Sequence, residues 1–186
     1  MLTAGWLVTA CWIGFVVAWI GTALLPRWRP GRTSGGRRRS IGLRLLIVPA
    51  VVLSIRGAGS HALGGVHNWA AGALGVVLCA AGIGLAIWAR VRLGRNWGEP
   101  MTERAEPELV IQGPYRYVRH PIYAGMLLAM IGSALAAGLF WAIILVAFGV
   151  YFVVSALVEE RSMLARFPDE YGEYRRRTKR IVPFVY

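Results

Sequence analysis

An all-α polytopic membrane protein is the fold class this sequence predicts, and three observations carry the prediction. Its 186 residues are 56% hydrophobic, with a mean hydropathy of +0.52, outside the range of a soluble globular domain. The apolar residues are gathered into uncharged runs able to cross a hydrocarbon core about 30 Å thick. Lys and Arg number 21 against 9 Asp and Glu, and they fall mainly between and after those runs, as expected of loops on the cytoplasmic side of spans. That placement accounts for the net charge of +12, and no nucleic-acid partner is expected. Cys11 and Cys79 each sit inside an apolar run, which leaves neither a disulfide framework nor a CxxC metal site. Both read as small packing residues.

The first run, from about Ala4 to Leu25, holds no charged residue and has no basic segment before it, so it predicts a retained span rather than a signal peptide. Gly14, Ala18 and Thr22 recur every four residues within it and offer a surface for close helix approach. Pro26 to Arg44 carries seven arginines and no acid, and reads as a cytoplasmic loop against anionic lipid headgroups. A second run starts near Leu43 and reaches spanning length only if extended to about Leu63. The connection after it, with His61 and His67, reads as an external loop whose histidines have no nearby carboxylate or thiol to make a metal site. Trp69 to Ala89 is the third run and ends in Arg90, Arg92 and Arg95, which places that end in the cytoplasm. Its Gly82-x-Gly84 follows no strand and carries no sign of a dinucleotide fold.

Pro121 to Val158 is uncharged for a length that suits two spans, with Gly138 as the turn. Arg116 and Arg119 precede this hairpin and Arg161 follows it, so both ends are predicted to be cytoplasmic. The count is five spans. Residues 1–89 form spans one to three with the basic loop at 26–44, and residues 90–186 form a catalytic region. That region comprises the cytoplasmic segment 90–120, the hairpin 121–158 and cytoplasmic helices over 159–186.

All nine acidic residues flank the hairpin: Glu99, Glu103, Glu106 and Glu108 before it, Glu159, Glu160, Asp169, Glu170 and Glu173 after it. A hairpin brings its ends together, so these segments are predicted to share one pocket at the membrane surface. Pro121 suits a first helical position and places His120 at the entrance of the fourth span, with free N–H groups facing the pocket. Glu159 and Glu160 leave the bilayer where a carboxylate needs a cation, and Arg119, Arg161 or a bound cationic ligand could serve. The stripe of Met163, Leu164, Phe167, Tyr171 and Tyr174 reads as packing, and the run from Arg175 to Arg180 as a headgroup contact.

The two blocks GPYRYVRHPIYAG and EERSMLARFPDEYGEYRRR, separated by the hairpin and followed by a terminal VPF, resemble the isoprenylcysteine carboxyl methyltransferase family over roughly Leu93 to Phe184. The resemblance implies an integral membrane enzyme that uses S-adenosylmethionine, yields S-adenosylhomocysteine and takes a lipophilic acceptor, such as a prenylcysteine carboxylate, laterally from the bilayer. It implies cofactor contacts at Pro107, Glu108, Leu109, Val110, Tyr115, His120, Pro121, Ile122 and Tyr123, and assigns Glu159 and Arg119 to catalysis. No metal is implied. A bacterial-type inner membrane, with the site and C-terminus in the cytoplasm, is the expected location. One position departs from the pattern: Ser155 stands where the eukaryotic enzymes have an acceptor-binding arginine. A membrane sterol reductase using NADPH, which shares an RHP-Y block, and a non-enzymatic membrane protein are the competing readings.

Overall fold

The computed structural model describes residues 4–24, 33–34, 68–94, 103–104 and 109–182. Five α-helices occur among them: α1 (Ala4–Leu24), α2 (Trp69–Leu93), α3 (Pro121–Ala137), α4 (Leu139–Arg166) and α5 (Pro168–Arg177). Three, α1, α2 and α4, contain stretches long and apolar enough to cross a membrane, while α3 is a shorter apolar helix. This is an all-α membrane protein. The run expected over 43–63, the histidine-bearing connection and most of the basic loop lie outside the described residues. One feature was not anticipated: a two-residue strand β1 (Thr33–Ser34) pairs antiparallel with β2 (Glu103–Arg104) and joins the segment after α1 to the one after α2.

Local signals explain where the helices begin and end. The Asn68 side chain accepts hydrogen bonds from the N–H groups of Ala70 at 2.9 Å and Ala71 at 3.4 Å, covering donors that the first turn of α2 leaves open. Pro121 and Pro168 open α3 and α5, where a missing N–H costs nothing. Gly138 sits between α3 and α4 with φ of 102°, a conformation that suits glycine, and turns the chain back on itself. The hairpin follows.

Small residues set the packing of α2 on α3. Gly75, Cys79, Gly82 and Ala86 on α2 meet Gly125, Ala129, Gly132 and Ala136 on α3, both series stepping by four, three and four. A methyl group built on Gly82 would stand 2.4 Å from the Ala129 nitrogen, and one on Gly132 would stand 2.4 Å from the Gly75 carbonyl. Backbone therefore touches backbone, the arrangement by which helices gain dispersion contact in lipid, where apolar burial supplies little drive. The seam was legible in the spacing but was not the one singled out. On α1, Gly14 meets nothing within 4 Å among the described residues, because that helix turns Val8, Trp12 and Phe15 toward them.

A polar contact ties α1 to this pair. Trp12 donates its indole N–H to Ser133 Oγ at 3.0 Å, Ser133 donates to the Ala129 carbonyl at 2.7 Å, and the Trp12 ring stacks on Trp141 at 5.2 Å. A buried indole N–H without a partner is costly in hydrocarbon, so Ser133 fixes the rotation of α1. Facing outward are β-branched side chains such as Val146, 68% exposed, the surface a lipid-facing helix presents.

Candidate active site

At the open end of the hairpin, three pieces of chain converge: the 3₁₀ turn Gly113–Arg116 with the residues running into α3, the end of α4, and the strap 178–182 that follows α5. The strap lies alongside the entry to α3. The N–H of Arg119 donates to the Lys179 carbonyl at 2.8 Å, the N–H of His120 to the Arg180 carbonyl at 3.0 Å, and Val118 bridges Lys179 in parallel. The expectation from sequence is of free N–H groups at this helix entrance facing a pocket; the N–H of His120, just ahead of α3, is instead taken by the strap. Tyr174 adds a further tie, donating its hydroxyl to the Tyr115 carbonyl at 2.6 Å.

Behind this backbone pairing sits a buried charge cluster centred on Glu160. Arg119 donates Nε–H to Glu160 Oε1 at 2.9 Å, while Arg180 donates Nε–H to Oε1 at 3.0 Å and Nη2–H to Oε2 at 3.2 Å. The three side chains are 7%, 4% and 11% exposed for Arg119, Glu160 and Arg180. Desolvating a carboxylate costs several kcal/mol, and the paired guanidiniums with their parallel donors offset it. Arg119 also bonds the carbonyls of Thr178 and, at 3.3 Å, Arg175. Its guanidinium spends its donors on holding chain segments together. Of the two cations considered for the glutamates, Arg119 is used, while Arg161 is exposed. Arg180, grouped by sequence with the headgroup-facing basic run, instead points inward. The signal that could have found it was Glu160: a buried acid requires a cation, and Arg180 stands apart from the arginine run, beyond Thr178.

Glu159, one residue earlier on α4, faces a different set. It accepts a 2.6 Å hydrogen bond from the Tyr123 hydroxyl on Oε1, and its Oε2 lies 3.5 Å from His120 Nδ1. Its side chain is 29% exposed. His120 spans the two acids, since its Nε2 lies 3.4 Å from Glu160 Oε1, in ion-pair reach but without hydrogen-bond geometry. Burial pushes the imidazole toward its neutral form, but the Glu159 and Glu160 carboxylates outweigh this and hold its pKa above the ordinary histidine value. The ring stacks on Tyr123 at 5.3 Å, and Tyr123 on Phe152 at 4.6 Å. On α5, burial pushes the Tyr171 and Tyr174 hydroxyls up, so both stay protonated at neutral pH.

His120, Tyr123, Glu159 and Arg119, singled out from sequence, are therefore brought together. Tyr123 contributes its hydroxyl to Glu159 while its ring is buried in the stack. Pro121 is buried, Ile122 packs against the hydrophobic core, and Tyr115 is buried under α5 with its carbonyl engaged. Leu109 and Val110 are half-buried ahead of the 3₁₀ turn. Pro107 and Glu108 lie outside the described residues. Ser155, one turn before Glu159, is fully buried, and its Oγ has no hydrogen-bond partner among the described residues. No cluster of His, Cys, Asp or Glu fit to hold a metal ion occurs among the described residues.

A family profile described as phospholipid methyltransferase matches residues 70–170, more than half of the chain. The match takes in α2, the hairpin, His120, Tyr123, Glu159 and Glu160, and ends before Arg180. Among curated proteins, the chain is 36% identical over 73 residues to methanethiol S-methyltransferase 1 of Bradyrhizobium diazoefficiens, covering 38% of this chain and 24% of that one. It is 27% identical over 101 residues to the protein-S-isoprenylcysteine O-methyltransferase of Schizosaccharomyces pombe, covering 52% and 43%. A cobalt-zinc-cadmium resistance protein of Cupriavidus metallidurans is 34% identical over 94 residues, covering 49% and 43%. The matched stretch spans less than half the length of each of these relatives.

Proposed function

The chain belongs to the phospholipid methyltransferase family, and from that premise we propose that it is a membrane methyltransferase moving a methyl group from S-adenosylmethionine to a lipophilic acceptor. The observation that carries this reading is the meeting of His120, Tyr123 and Glu159 where the two ends of the hairpin join. Support for the donor comes from the fit of these residues to a compact cation. Glu159 offers a carboxylate that is half-buried, where its attraction for a positive group exceeds that in bulk water.

Bound S-adenosylmethionine supplies a methyl group already made electrophilic by its sulfonium, so alignment matters more than acid or base strength. The work left to the protein is to hold, orient and keep water out. The Tyr123 hydroxyl fixes Oε1 of Glu159, His120 Nδ1 lies 3.5 Å from Oε2, and the aromatic stack with Phe152 holds the two rings in register. Where the acceptor carries a proton on its nucleophilic atom, Glu159 and His120 are placed to take it. An ionised carboxylate, as in a prenylcysteine, needs no such transfer. Ser155 brings an uncharged hydroxyl one turn from Glu159, so a carboxylate acceptor would receive no cationic contact from that position. Arg116, Arg119 and Arg161 at the hairpin's ends support a cytoplasmic site, with a bacterial-type inner membrane as the setting. The exposed Arg175, Arg176 and Arg177 suit anionic headgroups.

Membranes carrying the protein, incubated with methyl-labelled S-adenosylmethionine and candidate acceptors including a farnesylated cysteine analogue, are expected to yield a labelled lipophilic product. Glu159→Ala and His120→Ala should abolish it. Purified protein with no affinity for S-adenosylhomocysteine would overturn the reading.

A further inference from the structure

Two guanidiniums and an imidazole surround one carboxylate, Glu160, while a second carboxylate, Glu159, lies on the far side of the same imidazole. The competition this sets up has a definite arbiter. His120 Nε2 stands 3.4 Å from Glu160 Oε1 and forms no hydrogen bond to it, because that oxygen already receives Nε–H from both Arg119 and Arg180. We infer that Arg180 is a positioning residue: its carbonyl holds the His120 backbone while its guanidinium takes both oxygens of Glu160, which keeps that acid from forming a hydrogen bond to His120 Nε2 and leaves the ring between the two carboxylates, 3.4 Å from one and 3.5 Å from the other. The methyltransferase reading gives this its catalytic meaning, but the claim about His120 stands on the geometry alone.

The strap delivers Arg180 in two ways at once. Its carbonyl accepts the His120 N–H at 3.0 Å, and its side chain takes Glu160 with two donors. A single residue thus fixes the backbone of His120 and neutralises the acid that would compete for its ring. Arg119 cannot do this alone, since it reaches only Oε1 with one donor and turns Nη1 to the Thr178 and Arg175 carbonyls. Without Arg180, Oε2 loses a charge-assisted partner and Oε1 becomes available to Nε2 at a distance needing only a small adjustment.

Among the described residues, the charged and titratable groups facing His120 are Glu159 and Glu160 from α4, Tyr123 from α3, Arg119 from the preceding turn and Arg180 from the strap. Tyr171 and Tyr174 from α5 stand behind them and stay neutral. Removing Arg180 takes away one positive charge and leaves the acids in place. The cationic imidazole is then favoured more strongly, and where His120 takes a proton from the acceptor the acid limb of the activity moves to higher pH.

The test is a pH titration of ¹³C-labelled histidine in the full-length protein in nanodiscs, with the His120 signal assigned by its loss in His120→Gln. Arg180→Ala should raise the His120 midpoint by about one unit, and Arg180→Lys should return it close to the wild-type position. Should Arg180→Ala not fold, Glu160→Gln gives the opposite arm and should lower the midpoint. A midpoint that is unmoved or lowered in folded Arg180→Ala, or unmoved in Glu160→Gln, overturns the inference. In a methylation assay with an acceptor that must lose a proton, the acid limb of the kcat profile for Arg180→Ala should move to higher pH, with the same sign. Loss of S-adenosylhomocysteine binding in the wild type would instead remove the methyltransferase reading and leave the titration result intact.

Discussion

The Tyr123 hydroxyl donates to Glu159 Oε1 at 2.6 Å, a bond that crosses from α3 to α4 at the open end of their hairpin. It joins the residue three places into one helix with an acid near the end of the other, and so fixes the separation of the two chains at the site. Tyr123→Phe deletes this bond and leaves the stack on His120 and Phe152. The expected cost is about 1.5–3 kcal/mol, the range for a hydrogen bond to a charged group. It should appear as weaker S-adenosylhomocysteine binding by titration calorimetry with little change in helix content.

Arg119→Ala should be more damaging. It leaves Glu160 buried with one guanidinium fewer and frees the carbonyls of Arg175 and Thr178. Breaking a buried pair in this way costs about 3–5 kcal/mol. Thermal unfolding in detergent should show it, together with protease cleavage after Arg175–Arg177 as the strap detaches. An unfolding temperature matching wild type would show that the strap is held by other means.

His120 gives a pH dependence whose sign can be worked out. Its pKa in the folded protein lies above the ordinary value of about 6.5, so the protonated form favours the folded state. This contribution is complete below about pH 6.5 and is lost as pH rises through the elevated folded-state value. Unfolding temperatures should fall across that window in wild type and fall less in His120→Gln. Equal slopes for both proteins would place the proton elsewhere.

The seam between α2 and α3 offers a paired test within one helix. Gly82→Ala puts a methyl group 2.4 Å from a backbone nitrogen, whereas Gly84→Ala meets nothing within 4 Å among the described residues. Overpacking of the first kind costs about 1–3 kcal/mol and more where backbone must move. Gly84→Ala should be neutral or slightly stabilising, since alanine favours helix over glycine. Comparing yields of monodisperse protein and unfolding temperatures decides the matter, and similar losses from both would contradict the seam.

Much of the fold was legible because lipid imposes simple rules. Uncharged runs of spanning length, Gly138 between two of them and prolines at positions 121 and 168 are enough to draw the hairpin and the helix that follows it. The proximity of His120 and Glu159 also follows, since a hairpin must return to its starting side. What could not be read was the direction of individual side chains. Arg180 lies in a basic run whose ordinary fate is solvent or headgroups, and only the strap's pairing with residues 117–120 turns it inward. The choice between small-residue stripes failed for a similar reason. Gly14 and Gly82 look alike in sequence, and contact depends on which face each helix turns to its neighbour.

Where two helices touch through their main chains, no hydrocarbon tail can be threaded between them. The α2–α3 contact is therefore closed to lipid along Gly125 to Ala136, and an acceptor reaching Glu159 from the bilayer, as proposed above, would arrive from another side. The family of usable acceptors is then limited by the shape of that remaining approach as well as by the reactivity of the atom to be methylated.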